Sequence, residues 1–151
     1  MLNSSIRKQF NPTRIDGSNV DTYLIRKNIL AALAKSTYLL QGNLVDIGCG
    51  SMPYKEFIIE KAKLSNYIGL DLYNTIDYNG QKPDVYWDGK SAPFPDNKFQ
   101  CAIATEVLEH CFSVNETLLE INRILEKNGV FFFTVPFLWS LHESPNDHYR
   151  F

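Results

Sequence analysis

Val45-Asp46-Ile47-Gly48-Cys49-Gly50 is an apolar run that breaks into a glycine turn, with an acid two places ahead of the first glycine. The run reads as a buried strand, and Gly48 and Gly50 let the chain turn sharply and bring its backbone close to a ligand. The next helix follows at once, so its free N–H groups face the same space. A strand, a glycine turn and a helix N-terminus in succession point to a nucleotide-type cofactor at a strand end.

Outward from this stretch, strand and helix signals alternate. Asn43 to Ile47 is expected to be strand one, and Pro53 to Lys63 a helix with Pro53 in its first turn, where a missing N–H costs little. Asn66 to Leu70, Asp84 to Trp87 and Phe99 to Ala104 read as strands two, three and four. Ser113 to Lys127 reads as a helix, opened by a Ser113/Glu116 capping box, striped by Val114, Leu118, Ile121 and Leu125, and ended by Asn128-Gly129. Val130 to Val135, almost continuously apolar, is expected as strand five, buried on both faces. This alternation predicts an α/β fold, a Rossmann-like, doubly wound and mostly parallel sheet of about five strands. Right-handed crossovers bring all strand C-termini to one edge, and ligands bind there beside strand one.

Residues 1–17 are polar, contain Asn11-Pro12 and Asp16-Gly17, and read as an N-terminal arm; Arg7, Lys8 and Arg14 make a weak basic patch that reads as solvated. One domain then covers 18–151. Its first helix is expected to start at Ser18 and Asp21, to carry Leu24, Ile25, Asn28, Ile29, Ala32 and Leu33 on one stripe, and to end near Gln41 with Gly42 as a cap.

The bulk properties narrow the function. The 151 residues suffice for one core, and a net charge of -2 gives no field that favours nucleic acid. The cysteines, Cys49, Cys101 and Cys111, are odd in number and lack a CxxC pair, so reduced thiols, a cytoplasmic setting and no zinc site are expected. Cys101 reads as a small buried hydrophobe within strand four. Residues 1–10 hold no apolar signal core, and the longest apolar run, Val130 to Trp139, is half of the ~20 residues a membrane helix needs.

The strand ends carry the chemistry. Strand two ends in Asp71, suited to a bidentate grip on two ribose hydroxyls. NAD and S-adenosylmethionine both fit this much. The dinucleotide fingerprint wants glycine at position 53, where this chain has proline. An ionised Asp46 repels a pyrophosphate by roughly 4 kcal/mol per charge pair at ~4 Å and a dielectric of ~20, and attracts a ligand that carries ammonium and sulfonium. Asp46 otherwise serves only to accept N–H bonds from its own turn. Trp87-Asp88-Gly89 places an acceptor for an adenine amino group beside an aromatic ring, or an ordinary turn acid. Glu106, after Ala104-Thr105, either holds the amino-acid part of the ligand or is a helix N-terminal charge.

Five separated segments together resemble one family: Asp46 to Gly50, Asp71, Ala92-Pro93-Phe94-Pro95-Asp96-Asn97-Lys98-Phe99, Glu106-Val107-Leu108-Glu109-His110, and Arg123-Ile124-Leu125-Glu126-Lys127-Asn128-Gly129. In order and spacing they look like the class I S-adenosylmethionine-dependent methyltransferases, most closely the group called type 11, over about residues 43 to 137. A Lys-Pro-Gly-Gly turn of many members is Lys127-Asn128-Gly129-Val130 here. The resemblance implies S-adenosyl-L-methionine as cofactor, S-adenosyl-L-homocysteine as product, and cofactor contacts at Asp46, Gly48, Cys49, Gly50, Asp71, Leu72, Asp88, Gly89, Thr105 and Glu106.

Methyl transfer is dominated by positioning, so the motifs name no obligatory catalytic residue. His110 and His142 are the candidate bases; His110 reads equally as a packed structural histidine. His142, Glu143, Asp147, Tyr149 and Arg150 resemble the segment over the acceptor side in type 11 members, or form a polar tail. His142, Asp147 and His148 fit no standard metal-ligand spacing. The family fold has seven strands, so a chain with five is expected to be C-terminally truncated, with strands six and seven missing and strand five exposed for self-association. The expected activity is methyl transfer to a small-molecule acceptor. A cofactor-binding scaffold without turnover is the alternative, and Asp46 and Pro53 disfavour an NAD-dependent oxidoreductase.

Overall fold

The computed structural model describes residues 10–17, 19, 20, 22–73 and 80–137. Helix α1 (Tyr23–Ser36) and a 3-10 turn (Thr37–Leu39) precede β1 (Gln41–Ile47). Helix α2 (Lys55–Lys61), β2 (Lys63–Leu72), β3 (Val85–Trp87) and β4 (Phe99–Thr105) follow, then a 3-10 turn (Leu108–His110), α3 (Val114–Ile124) and β5 (Leu125–Thr134). The five strands form one parallel sheet in the order β3-β2-β1-β4-β5, with β1 central. Its order reverses at β1, as a doubly wound sheet requires.

Strand residues alternate between two cores. Val45, Ile47, Leu70, Ala102 and Ala104 face Ile121 and Ile124 of α3. Leu44, Tyr67, Cys101 and Ile103 face Ile29 and Leu33 of α1 and Ile58 of α2. Phe99 and Cys101 lie in opposite cores although two residues apart, because the β4–β5 register shifts between them.

Several boundaries differ from the sequence reading. Ser18 and Asp21 lie outside the described residues, and α1 starts after Thr22. It stops at Ser36, and Gly42 is no cap: it sits inside β1 at a bulge, with φ +72°, where a Cβ would lie 2.5 Å from Gln100 Oε1. Gln100 Oε1 accepts the Asn43 N–H at 2.7 Å, so the side chain that excludes a Cβ also secures the bulge. Helix α2 is shorter than Pro53 to Lys63 because Ala62 turns extended and Lys63 pairs with Gln41.

Helix α3 ends at Ile124 rather than Lys127, since Leu125 is extended and pairs with Phe99. The Arg123 and Ile124 carbonyls accept the Asn97 and Lys98 N–H groups that lead into β4. Ser113 holds the N-cap position but makes no side-chain cap bond, and the buried face is Thr117, Ile121 and Ile124 while Leu118 is exposed. Strand β5 is not buried on both faces. Among the described residues it pairs only with β4, so its side chains are half-buried and Phe133 is 49% exposed. Cys101 is buried as expected.

Arg123 joins two of the motif segments. It donates to Glu120 at 2.6 and 2.8 Å, to Asp96 at 2.7 Å, and to the Phe94 and Ala92 carbonyls at 2.9 and 3.1 Å. Arg123→Ala is expected to cost about 1–2 kcal/mol, the lower part of the range for charged hydrogen bonds, because 31% of the side chain faces solvent. A urea midpoint within error of the parent would remove this linking role.

Candidate functional site

All five strands point their C-terminal ends to one edge, where a cleft of about 850 Å³ opens. That is within the range for small-molecule sites. Ile47, Gly48, Cys49 and Gly50 form its floor after β1. Asp71 and Leu72 line it at the end of β2, Asp88 and Gly89 after β3, and Thr105, Glu106 and His110 after β4. Nine of the ten expected contact residues thus meet at one cleft.

The glycine turn is tied to Asp71. Gly50 N–H donates to Asp71 Oδ2 at 2.8 Å, and Leu72 N–H donates to Oδ1 at 2.8 Å. Cys49 N–H bonds the Leu70 carbonyl at 3.2 Å. Gly48 has φ +62°, and a Cβ there would lie 2.6 Å from Val107 Cγ2. The turn therefore needs glycine for its backbone conformation and for the close approach of the segment after β4. The Cys49 thiol is buried, and desolvation, with Asp46 next in effect, pushes its pKa well above the ordinary range, so it is no nucleophile.

Asp46 departs from expectation. It does not line the cleft but lies beneath it, 4% exposed, where the Tyr67 hydroxyl donates to its Oδ2. Burial raises its pKa to about 7; the Tyr67 bond opposes the rise, Asp71 adds to it and Lys55 opposes it. Its partner is thus a side chain of β2 rather than the N–H groups of its own turn. Near neutral pH it is not the fixed negative charge that the argument against a pyrophosphate assumed.

Asp88 faces solvent and accepts the Lys90 and Ser91 N–H groups at 2.9 and 2.8 Å. The Ser91 bond, then the Lys90 bond, holds its carboxyl below the ordinary value. Glu106 adopts φ +55°, uncommon for a residue with a Cβ, and its N–H is held by the Thr134 carbonyl at 3.1 Å and hydroxyl at 3.2 Å. His110 Nε2 lies 3.9 Å from Oε1 of the buried Glu109. The described residues contain no group of three or more metal-ligating side chains. His142, Glu143, Asp147, His148, Tyr149 and Arg150 lie outside the described residues.

Sequence reading missed one wall. Phe10, Thr22, Ile25 and Arg26 also line the cleft, so the arm and α1 belong to the site. The Phe10 ring meets Tyr54 edge-on at 6.0 Å, and the Arg26 guanidinium lies 4.2 Å above Phe10. Ile25 was legible only as a stripe residue, and nothing in the local pattern marked Phe10. A second cavity of about 400 Å³ lies between α1 and residues 134–137 and shares Ile25 and Glu106 with the cleft.

Comparison with known proteins places this geometry. Residues 18–151 match a family described as a methyltransferase domain. An uncharacterized protein of Methanocaldococcus jannaschii, MJ1252, is 29% identical over 99 residues, 65% of this chain and 38% of its own. The YcgJ protein of Bacillus subtilis shares the fold with a TM-score of 0.58 at 20% identity, over 74% of this chain and 51% of its own. An S-adenosylmethionine-dependent methyltransferase of Mesorhizobium loti does so with a TM-score of 0.54 at 21% identity, over 73% and 53%. The chain spans about half or less of the length of these proteins. No helix among the described residues is long and apolar enough to cross a membrane. With the match running through the glycine turn, the strand-end acids and both linked motif segments, the chain belongs to the class I S-adenosylmethionine-dependent methyltransferases.

Proposed function

We propose that the cleft binds S-adenosylmethionine and that the protein transfers its methyl group to a small-molecule acceptor. The carrying observation is the alignment of Asp71, Asp88 and the glycine turn at the ends of three adjacent strands in one cleft. The donor set fits the ligand. Asp71 has about four lone-pair sites, and two backbone N–H groups occupy two of them. Two remain for ribose hydroxyls. Asp88 likewise keeps acceptor capacity for an adenine amino group after its two backbone bonds.

When bound, this cofactor supplies an electrophilic methyl on a sulfonium. The contribution of the chain is to orient and to exclude water, which can supply much of such a rate enhancement. Gly48, Cys49 and Gly50 hold the backbone floor, Leu72 and Gly89 flank the nucleoside side, and Thr105 and Glu106 stand at the β4 end, where an ammonium meets a carboxylate. Asp46 supports the turn from below through Tyr67. His110 lines the cleft and can accept a proton from an acceptor that must lose one. The neighbouring cavity, with Ile29, Ala32, Val135 and Phe137 in its wall, supports a small and partly apolar acceptor.

Thermal denaturation tests the reading. S-adenosylhomocysteine at 100 times its Kd adds ~2.7 kcal/mol, which raises the melting temperature by about 5–11 °C. NAD is expected to leave it unchanged. A shift with NAD and none with S-adenosylhomocysteine would falsify the assignment.

A further inference from the structure

The second cavity, of about 400 Å³, adjoins the cofactor cleft, and the two spaces share Ile25 and Glu106. Its walls are mostly apolar. Ile25, Ile29 and Ala32 lie at i, i+4 and i+7 on one face of α1, and Val135 and Phe137, which follow β5, complete the apolar wall. Its polar side chains are Asn28, Thr134 and Glu106. Glu106 alone among the described lining residues is ionisable, and no lysine, arginine or histidine joins it. Such a wall accepts an apolar body and rejects an anion.

Glu106 is held at the junction of the two spaces by its backbone. Its φ of +55° is uncommon for a residue with a Cβ, and its N–H donates to the carbonyl and hydroxyl of Thr134 at 3.1 and 3.2 Å. The segment after β4 is thereby tied to the last residue of β5, itself part of the cavity wall. Backbone outliers persist where the surrounding structure over-determines them, and they cluster at active sites. A carboxylate has about four lone-pair sites, so one that borders both spaces can serve a group in each.

The charge at this junction selects the acceptor. As an amine attacks, its lone pair forms the new nitrogen–carbon bond, and the carbon–sulfur bond breaks with its pair left on sulfur. Positive charge passes to the nitrogen, which then loses a proton to water. A carboxylate beside that nitrogen stabilises the charge where it develops. The same carboxylate repels a phenolate, carboxylate or phosphate nucleophile. A neutral hydroxyl needs a base, and His110, the candidate base, lines the cleft but not the cavity. Resting on the cofactor reading above, we propose that the cavity is the acceptor subsite and takes an amine on an apolar body, with Glu106 as the residue that selects the nitrogen.

Three probes of one shape differ in charge: benzylamine, benzyl alcohol and benzoate. NMR titration into the chain saturated with S-adenosylhomocysteine reads their affinities without turnover. Benzylamine is expected to bind about tenfold more tightly than benzyl alcohol, and benzoate about tenfold more weakly than the alcohol. Glu106→Gln, also saturated with S-adenosylhomocysteine, is expected to bring the three within about threefold of one another. Ala32 and Val135 line the cavity but not the cleft. Ala32→Phe and, from the other wall, Val135→Phe are expected to weaken benzylamine by about tenfold while S-adenosylhomocysteine affinity stays within about twofold. The assignment is overturned if benzoate binds as tightly as benzylamine, if Glu106→Gln leaves the order unchanged, if neither filling variant weakens benzylamine, or if no probe binds. In each case S-adenosylhomocysteine still binds and the cofactor reading stands. Failure of S-adenosylhomocysteine to bind the unmodified chain overturns both.

Discussion

Asp71→Ala is expected to weaken S-adenosylhomocysteine binding by roughly 100- to 10,000-fold and to loosen the glycine turn at the same time. The first effect follows from the loss of two hydrogen bonds to a charged acceptor, each worth about 1.5–3 kcal/mol. The second follows from the other side of the same carboxylate. Its oxygens accept the Gly50 and Leu72 N–H groups, and Asp71 is only 6% exposed. Without them, two backbone donors lose their partners, at a cost of about 1–3 kcal/mol each where water cannot replace the acceptor. On the proposed reading, the residue would link the ligand to the glycine turn that its carboxylate already holds.

The two effects are separable. Asp71→Asn keeps one neutral acceptor and should retain much of the turn, while it presents an N–H₂ where a ribose hydroxyl needs an acceptor. Asparagine should therefore match alanine in lost affinity but not in lost stability. Calorimetric titration gives the first quantity and the urea midpoint the second. Unchanged affinity in the alanine variant would remove Asp71 from the ribose role; unchanged stability would mean that solvent satisfies the turn.

Much of this site was legible because its parts are backbone decisions. Gly48 announces a left-handed turn, the apolar runs announce strands, and parallel topology then carries the acids at 71, 88 and 106 to one edge. The wall made by Phe10 and Arg26 was not legible, since a half-buried arginine on an ordinary apolar stripe has no local signature. Its role arises only when α1 packs over the β1 and β4 side of the sheet. Helix limits failed for a related reason. Lys63 and Leu125 have ordinary helical propensity, but each is drawn into a strand by a partner distant in sequence, Gln41 and Phe99. The dipeptide Asn128-Gly129 marked a real irregularity, with Asn128 at φ +66°, and it falls within β5 rather than at the end of α3. Asp46 was read by charge alone. Its burial and its tyrosine partner are tertiary facts, and they change the protonation state on which that argument rested.

Stability is expected to fall as pH rises from about 4 to about 7, through Asp46. Its carboxyl titrates near 3.8 when unfolded and at about 7 when folded. Below pH 4 both states hold the proton and nothing is lost. Between the two values the folded chain keeps a proton that the unfolded chain has released, so each step up in pH favours unfolding. Above pH 7 both states are ionised and the penalty is constant. The separation corresponds to on the order of 4 kcal/mol. Asp46→Asn keeps an acceptor for the Tyr67 hydroxyl and removes the titration. Its urea midpoint should therefore gain on the parent between about pH 4 and about pH 7 and level off above that; parallel curves would show that Asp46 ionises in the folded chain as it does in water. The same group then reports on the ligand. A cation bound above Asp46 stabilises its charged form, so S-adenosylmethionine binding at pH 6.5 should release part of a proton. Titrations in two buffers of different ionisation enthalpy measure that release, and Asp46→Asn should abolish it. Absence of proton release in the parent would confine Asp46 to supporting the turn from below.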